Sequence, residues 1–281
     1  MEGLNPVEVM GCHSPLSARL AEAAGFPALW LSSLELSSVN ALPDANFLSM
    51  AENLEMVHKV CQAVSTPIVV DCDSGYGNEV NVFRMTQLYE KAGVSAISIE
   101  DNVFPKKCAF YEAGAEELVS AEEHSRKIKA ACTARKSKEF FVIARTEAFI
   151  RKLGLEEALK RAHAYADAGA DAIFVHSKKN TDEEVVAFAK AWGRDIPLVC
   201  SPTTYYQYSS VELMERGYKM MIYANQGLRA SVKAMLETYL AIKKSGSTKN
   251  VEDSIAPLKE VFKWTGVSEM EDLISSLQQP S

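Results

Sequence analysis

The sequence contains no cysteine pair spaced as CxxC and no apolar run near the ~18 residues of a membrane-spanning helix. It also shows no excess of basic charge. Each absence removes a class of protein. Cys12, Cys61, Cys72, Cys108, Cys132 and Cys200 are scattered, several inside apolar runs, so a reduced, cytoplasmic setting is expected rather than a disulfide framework. No histidine or cysteine spacing matches a zinc site. The amino-terminal stretch lacks the basic-then-apolar order of a signal peptide. A formal net charge of −7 speaks against nucleic acid and against an anionic membrane as partners. Glycine and proline are sparse, at 14 and 10 in 281 residues, and 47% of the chain is hydrophobic. That composition supports a large core and no disordered tract.

Eight short apolar runs recur along the chain, at 7–13, 27–33, 66–74, 95–101, 140–146, 171–177, 196–203 and 219–225. Amphipathic helical segments separate most of them. Continuous apolar strands with helical crossovers predict an α/β fold closed into a (β/α)₈ barrel. A doubly wound open sheet is the alternative, but no GxGxxG follows the first run. A local echo supports the barrel: "AAGFPALWLS", "KAGVSAISIE" and "DAGADAIFVH" each pair a helix-closing Ala-Gly with a short strand and a polar residue. The chain thereby delivers Ser32, Glu100 and His176 to one level of successive strands. The catalytic domain is expected over 1–245. A helical extension over 246–281 is too short to fold alone, and is expected to pack on the barrel or a neighbouring subunit.

The carboxyl-terminal rim of such a barrel gathers the βα loops, and active sites with them. Rim candidates in chain order are His13, Ser32, Ser33, Asp71, Asp73, Glu100, Asp101, Arg145, Glu147, His176, Thr203 and Asn225. Polar strand ends also occur simply because they meet water. Asp71, Asp73, Glu100 and Asp101 form a carboxylate cluster if the third and fourth strands are neighbours. Hard oxygen ligands of this type suit Mg²⁺, with Mn²⁺ as the substitute. "DSGYGN" over 73–78 supplies a tight turn beside them. Arg145 and His176 can bind carboxylate or phosphate oxygens, or Arg145 can pair structurally with Glu147. Lys106, Lys107 and Cys108 lie in the loop after the acids, where cations can roof a bound anion and the cysteine is either reactive or inert.

Taken together, "DCDSGYGN", "IEDNVFPKK", "VIARTEAFI", "AGADAIFVHSKK", "PTTYY" and "YANQGLRAS" resemble the phosphoenolpyruvate mutase and isocitrate lyase superfamily, and within it the phosphonate branch. The resemblance spans nearly the whole chain. It implies a barrel whose carboxyl-terminal helices are swapped between subunits, in a homodimer or homotetramer. It implies Mg²⁺ near Asp71, with Asp73 and Glu100 holding its waters. Trp30, Ser32, Ser33 and Leu34 would surround the carboxylate of a small 2-oxo acid or enolpyruvate, with Ser32 and neighbouring amides binding it. Arg145 and His176 would take the phosphoryl group, Asp44 would lie beside the transferring phosphorus, and Lys106 would belong to a gating loop. The implied reaction interconverts phosphoenolpyruvate and phosphonopyruvate.

Four positions depart from the pattern of that branch. Asn102 stands where a lysine is expected, Cys108 where an asparagine is, Ala109 where a serine is, and Ser33 where a glycine is. "KKCAF" shares its cysteine with the carbon–carbon lyases of the superfamily, without the Gly-His that follows it there. Three alternatives therefore stand beside the mutase: a phosphonopyruvate hydrolase, a lyase using Cys108, and a non-catalytic ligand-binding barrel.

Overall fold

Each of the expected apolar runs forms a strand. In the computed structural model, which describes residues 5–111 and 117–278, these strands close into one parallel barrel in chain order. The strands are β1 (Val7–Cys12), β2 (Ala28–Leu31), β3 (Ile68–Asp71), β4 (Ala96–Glu100), β5 (Phe141–Thr146), β6 (Ala172–Val175), β7 (Leu198–Cys200) and β8 (Tyr218–Tyr223). The helices are α1 (Pro15–Ala23), α2 (Ser33–Val39), α3 (Met50–Cys61), α4 (Glu79–Lys91), α5 (Ala121–Ala134), α6 (Gly154–Asp167), α7 (Glu183–Trp192) and α8 (Ser210–Glu215). The chain then continues through α9 (Gln226–Ser245), α10 (Leu258–Thr265) and α11 (Val267–Leu277).

Helix starts follow local chemistry. At α3 the Ser49 hydroxyl accepts the Glu52 amide, while the Glu52 carboxylate accepts the Ser49 amide at 2.7 Å. Ser209 and Glu212 repeat this reciprocal cap at α8. Gly25, Gly93 and Gly169 all take the left-handed conformation expected of the echoed Ala-Gly pairs.

Strand alternation splits the core into two shells. Val9, Trp30, Val69, Ala96, Ile143 and Phe174 belong to the cluster that fills the barrel interior. The intervening residues, such as Leu29, Val70, Ile97, Ile99, Val142 and Ile173, pack against the helices. Because the side-chain period of a strand is two, each inward apolar residue is followed two positions later by another residue on the same side. Val69 leads to Asp71, Ala96 through Ser98 to Glu100, Ile143 to Arg145, and Phe174 to His176. Register places Asp71 beside Ser98 and Glu100 beside Arg145. The polar layer at the rim is thus the upper continuation of the hydrophobic plug.

The same alternation turns Asp101 away from the acids with which the sequence grouped it. Its carboxylate accepts from Thr146 Oγ1 at 3.0 Å, the Glu147 amide at 2.8 Å, Tyr165 Oη at 2.7 Å and Arg161 Nη1 at 3.2 Å. Burial raises its pKa from the ordinary aspartate value, opposed by these bonds. Asp101 is therefore a structural tie between β4, β5 and α6.

The chain divides into two compact units, Met1–Asn225 and Gln226–Ser281. In the second, α9 carries exposed Val232, Met235, Leu236, Tyr239 and Leu240 at helical spacing. None of the described helices is long and apolar enough to cross a membrane.

Removing Asp101 would leave the buried Tyr165 hydroxyl without its acceptor and Arg161 Nη1 without a carboxylate, Glu157 remaining only on Arg161 Nε. Asp101→Ala is expected to destabilise the fold by about 3–5 kcal/mol, and Tyr165→Phe by about 1 kcal/mol, read as shifts in the urea unfolding midpoint. Equal midpoints for Asp101→Ala and the parent would refute the tie.

Candidate active site

A cavity of about 50 Å³ opens among the ends of the strands. That is room for only a few waters, which suits a small ligand. Asp71, from the tip of β3, and Glu100, from the tip of β4, line one side. Asp71 Oδ2 accepts from Ser33 Oγ at 3.0 Å, and Asp71 Oδ1 accepts from the Asp73 amide at 3.2 Å. Asp73 sits one bond behind, in the turn predicted from "DSGYGN". There Asp73 and Tyr76 have φ of 51° and 57° despite their side chains, a conformation that costs free energy unless its surroundings enforce it. Lys127, buried, anchors this turn by donating to the Ser74 carbonyl at 3.0 Å. Burial, joined by the charges of Asp71 and Asp44 and opposed by Lys106, pushes the Asp73 carboxyl up to about 7.

Arg145, on β5, and His176, just beyond β6, line the cavity next to Glu100. Arg145 Nε donates to Glu147 Oε1 at 2.6 Å, and Arg145 Nη2 lies 3.2 Å from Glu100 Oε2. His176 Nδ1 lies 3.0 Å from Arg145 Nη2 and 2.9 Å from Glu147 Oε1, so its tautomer decides whether it accepts from the arginine or donates to the acid. The Arg145 guanidinium also stacks over Phe174 at 5.0 Å. Burial opposes the arginine's charge, but Glu147 and Glu100 more than offset it and raise its pKa. Burial would likewise raise Glu147, yet Arg145 and His176 hold it well below the carboxylate range. Arg145 is braced by Glu147 and faces the cavity.

The loop after β4 roofs the cavity. Its lysine pair divides, with Lys106 buried and Lys107 exposed. Lys106 Nζ lies 2.9 Å from Asp44 Oδ1 and 2.8 Å from Asp73 Oδ1, and donates to Ser33 Oγ at 3.1 Å. Burial opposes this ammonium, but Asp73 and Asp44 hold its pKa well above the usual lysine value. Backbone bonds fix the loop: the Cys108 amide donates to the Asp44 carbonyl at 3.0 Å, and the Lys106 amide donates to Asn46 Oδ1 at 2.6 Å. Burial pushes the Cys108 thiol up to about 11, so it is a protonated thiol at neutral pH rather than a thiolate.

Most of the residues singled out by sequence face this one cavity. Trp30, Ser32 and Leu34 line it beside Asp44, and Lys106 and Cys108 cover it. Ser33 and Asp73 stand behind that wall and bond to residues in it. The Ser32 hydroxyl accepts the Glu35 amide as the cap of α2, which leaves its own proton to donate. Thr203 and Asn225 reach the cavity, whereas His13 turns to Glu35 at 3.7 Å. Sequence reasoning missed the apolar walls Phe110, Phe174 and Ile222. Phe174 and Ile222 were within reach, since each lies two positions below a rim residue or inward in its strand.

The acids fit a hard divalent cation. Asp44, Asp71, Asp73 and Glu100 crowd one region, and like charges so placed need positive charge between them. Among the described residues, no three His, Cys, Asp or Glu side chains form an all-protein cage. Mg²⁺ binds characteristically through one or two carboxylates and keeps several waters, so the donor set suits it.

The chain is similar to known proteins over nearly its whole length. Residues 2–243 match the family model described as phosphoenolpyruvate phosphomutase. The phosphonopyruvate hydrolase of Variovorax sp. (strain Pal2) is 43% identical over 262 residues, covering 93% of this chain and 90% of that protein. Among solved structures, the phosphoenolpyruvate phosphomutase of Streptomyces platensis subsp. rosaceus superposes with a TM-score of 0.96 at 44% identity, covering 99% and 96% of the two chains. A phosphonopyruvate hydrolase complex with oxalate and Mg²⁺ superposes with a TM-score of 0.91 at 41% identity, covering 96% and 94%. On this similarity in sequence and fold, the chain belongs to the phosphoenolpyruvate phosphomutase family of enzymes.

Proposed function

We propose that the protein is a Mg²⁺-dependent phosphoenolpyruvate mutase, moving a phosphoryl group between the enol oxygen and carbon three of a pyruvate unit. The observation that carries this reading is the convergence of Asp71 and Glu100, Arg145 and His176, and Lys106 on one cavity. Asp71 and Glu100, with Asp73 behind them, would hold the cation, which when bound supplies positive charge to the enolate end of the substrate. Ser32 donates to the carboxylate from the cap of α2. Arg145 and His176 meet the phosphoryl oxygens, and Asp44, held by Lys106, lies beside the phosphorus.

Phosphoryl transfer passes through a loose, metaphosphate-like transition state, which asks the protein chiefly for positioning and charge. Arg145 is suited to that role because Glu147 and Phe174 fix its fork before substrate arrives. Lys106 tied to Asp44, Asp73 and Ser33 keeps the roof down, and a closed roof denies the transferring group to water. A looser roof converts the same site into a phosphonopyruvate hydrolase, and the similarity to the Variovorax protein favours that as the second reading. The protonated Cys108 thiol is not poised as a nucleophile, though as a proton donor it keeps the lyase reading testable. We further propose that the exposed apolar stripe of α9 packs on a second copy, in a homodimer or homotetramer, and that the enzyme works in the cytoplasm.

Phosphorus NMR of the enzyme with Mg²⁺ and phosphonopyruvate should show conversion to phosphoenolpyruvate. Phosphate and pyruvate would establish the hydrolase instead, and an unchanged phosphonate signal would refute both. Release of a 2-oxo acid from a 2-hydroxy diacid, abolished by Cys108→Ala, would replace them with a carbon–carbon lyase. Arg145→Met should lower kcat by about 10²–10³-fold with the fold intact by circular dichroism, and a change below tenfold would remove Arg145 from the phosphoryl site.

A further inference from the structure

Asn102 occupies the position where a lysine is expected, and its surroundings give it a task of its own. Two residues beyond Glu100 on the continuation of β4, it lies on the same side as Glu100, while Asp101 between them faces the helices. Its backbone is pinned by an antiparallel bridge to Leu118. It is 1% exposed, and both ends of its amide are used. Asn102 Nδ2 donates to Glu100 Oε1 at 2.9 Å, and Asn102 Oδ1 accepts from Arg151 Nη2 at 2.8 Å. The other Glu100 oxygen lies 3.2 Å from Arg145 Nη2. Glu100 is thus gripped at both oxygens, from Asn102 on one side and Arg145 on the other.

An asparagine amide can turn over, exchanging its donor and acceptor ends. Here it has no freedom to do so. Arginine carries donors only, so Arg151 can meet nothing but the Asn102 oxygen, and the NH₂ is left pointing at Glu100. We propose that Asn102, keyed by Arg151, is a positioning residue that sets the orientation of Glu100 toward the divalent cation. This rests on the proposed role of Glu100 as a cation-holding acid. A lysine at this position would bring an ammonium against Glu100 and compete with the cation for its charge. The neutral amide orients the carboxylate and leaves the charge for the metal. Partners of metal-holding carboxylates matter at the level of 10–100-fold in metal affinity.

Calorimetric titration of the full chain with Mg²⁺, and with Mn²⁺ followed by electron paramagnetic resonance, reads this without turnover. Asn102→Leu, close in size and devoid of polar atoms, should weaken Mg²⁺ by about 10–100-fold. Arg151→Met should weaken it comparably, because the amide is then free to turn. A through-space charge effect has the opposite sign, since losing a cation near the acids would tighten Mg²⁺. The double variant should be no weaker than either single one, as residues acting through one another are not additive. Arg151→Lys, which keeps a donor-only partner, should restore most of the affinity. A parent that binds Mg²⁺ alongside an Asn102→Leu variant that binds it equally overturns this inference alone. Tighter binding by Arg151→Met also overturns it. A parent that takes up neither Mg²⁺ nor Mn²⁺ overturns the metal reading itself.

Discussion

The structure depends on how a crowd of buried carboxylates is kept in place at the mouth of a hydrophobic barrel. Asp44, Asp71, Asp73 and Glu100 are each no more than 6% exposed, and water cannot screen them. Lys106 answers Asp44 and Asp73, and Arg145 answers Glu100 while also serving Glu147. Breaking one partner of a buried charged pair commonly costs several kcal/mol, because the other charge stays behind unpaired. The roof loop, the β3 turn and the β5 tip are therefore not independent parts. Each supplies a charge that another needs, and Asp73, raised to about 7 by burial first and by its acidic neighbours after it, sits where those charges meet.

Strand alternation turns this charge problem into a shaped site. Inward residues of β2 to β6 fill the barrel with Trp30, Val69, Ala96, Ile143 and Phe174, and inward positions further up the same strands line the cavity. The plug gives the polar layer a rigid floor. Outward residues at the same height serve stability instead, as Asp101 does with Arg161 and Tyr165. A single residue of register thus separates a structural carboxylate from one that faces the cavity.

That distinction explains how much was legible in advance. The barrel could be read because its eight apolar runs are short, continuous and mostly separated by helical segments. The rim could be read because a polar residue ends each run. Asp101 was grouped with Glu100 because adjacency in sequence says nothing about side until the strand's phase is known. Phe110 escaped notice because the loop that carries it has no period to interpret. The burial of Lys106 and exposure of Lys107 likewise follow from tertiary partners, Asp44 and Asp73 above all, which lie 62 and 33 positions away in the chain. Asn102 looked like a lost lysine, and only its two hydrogen bonds give it a purpose.

On the proposed reading, mutase and hydrolase chemistry would differ by the fate of one phosphoryl group, governed less by the charge layout than by the tightness of the roof. Both would require the same cation at the same acids. Crystals grown with Mn²⁺ and oxalate, measured at the manganese absorption edge, test that requirement most directly. An anomalous peak within coordination reach of Asp71 and Glu100, with oxalate extending from it toward Arg145 and His176, is the predicted result. Manganese bound elsewhere, with those four side chains still paired among themselves, would contradict it.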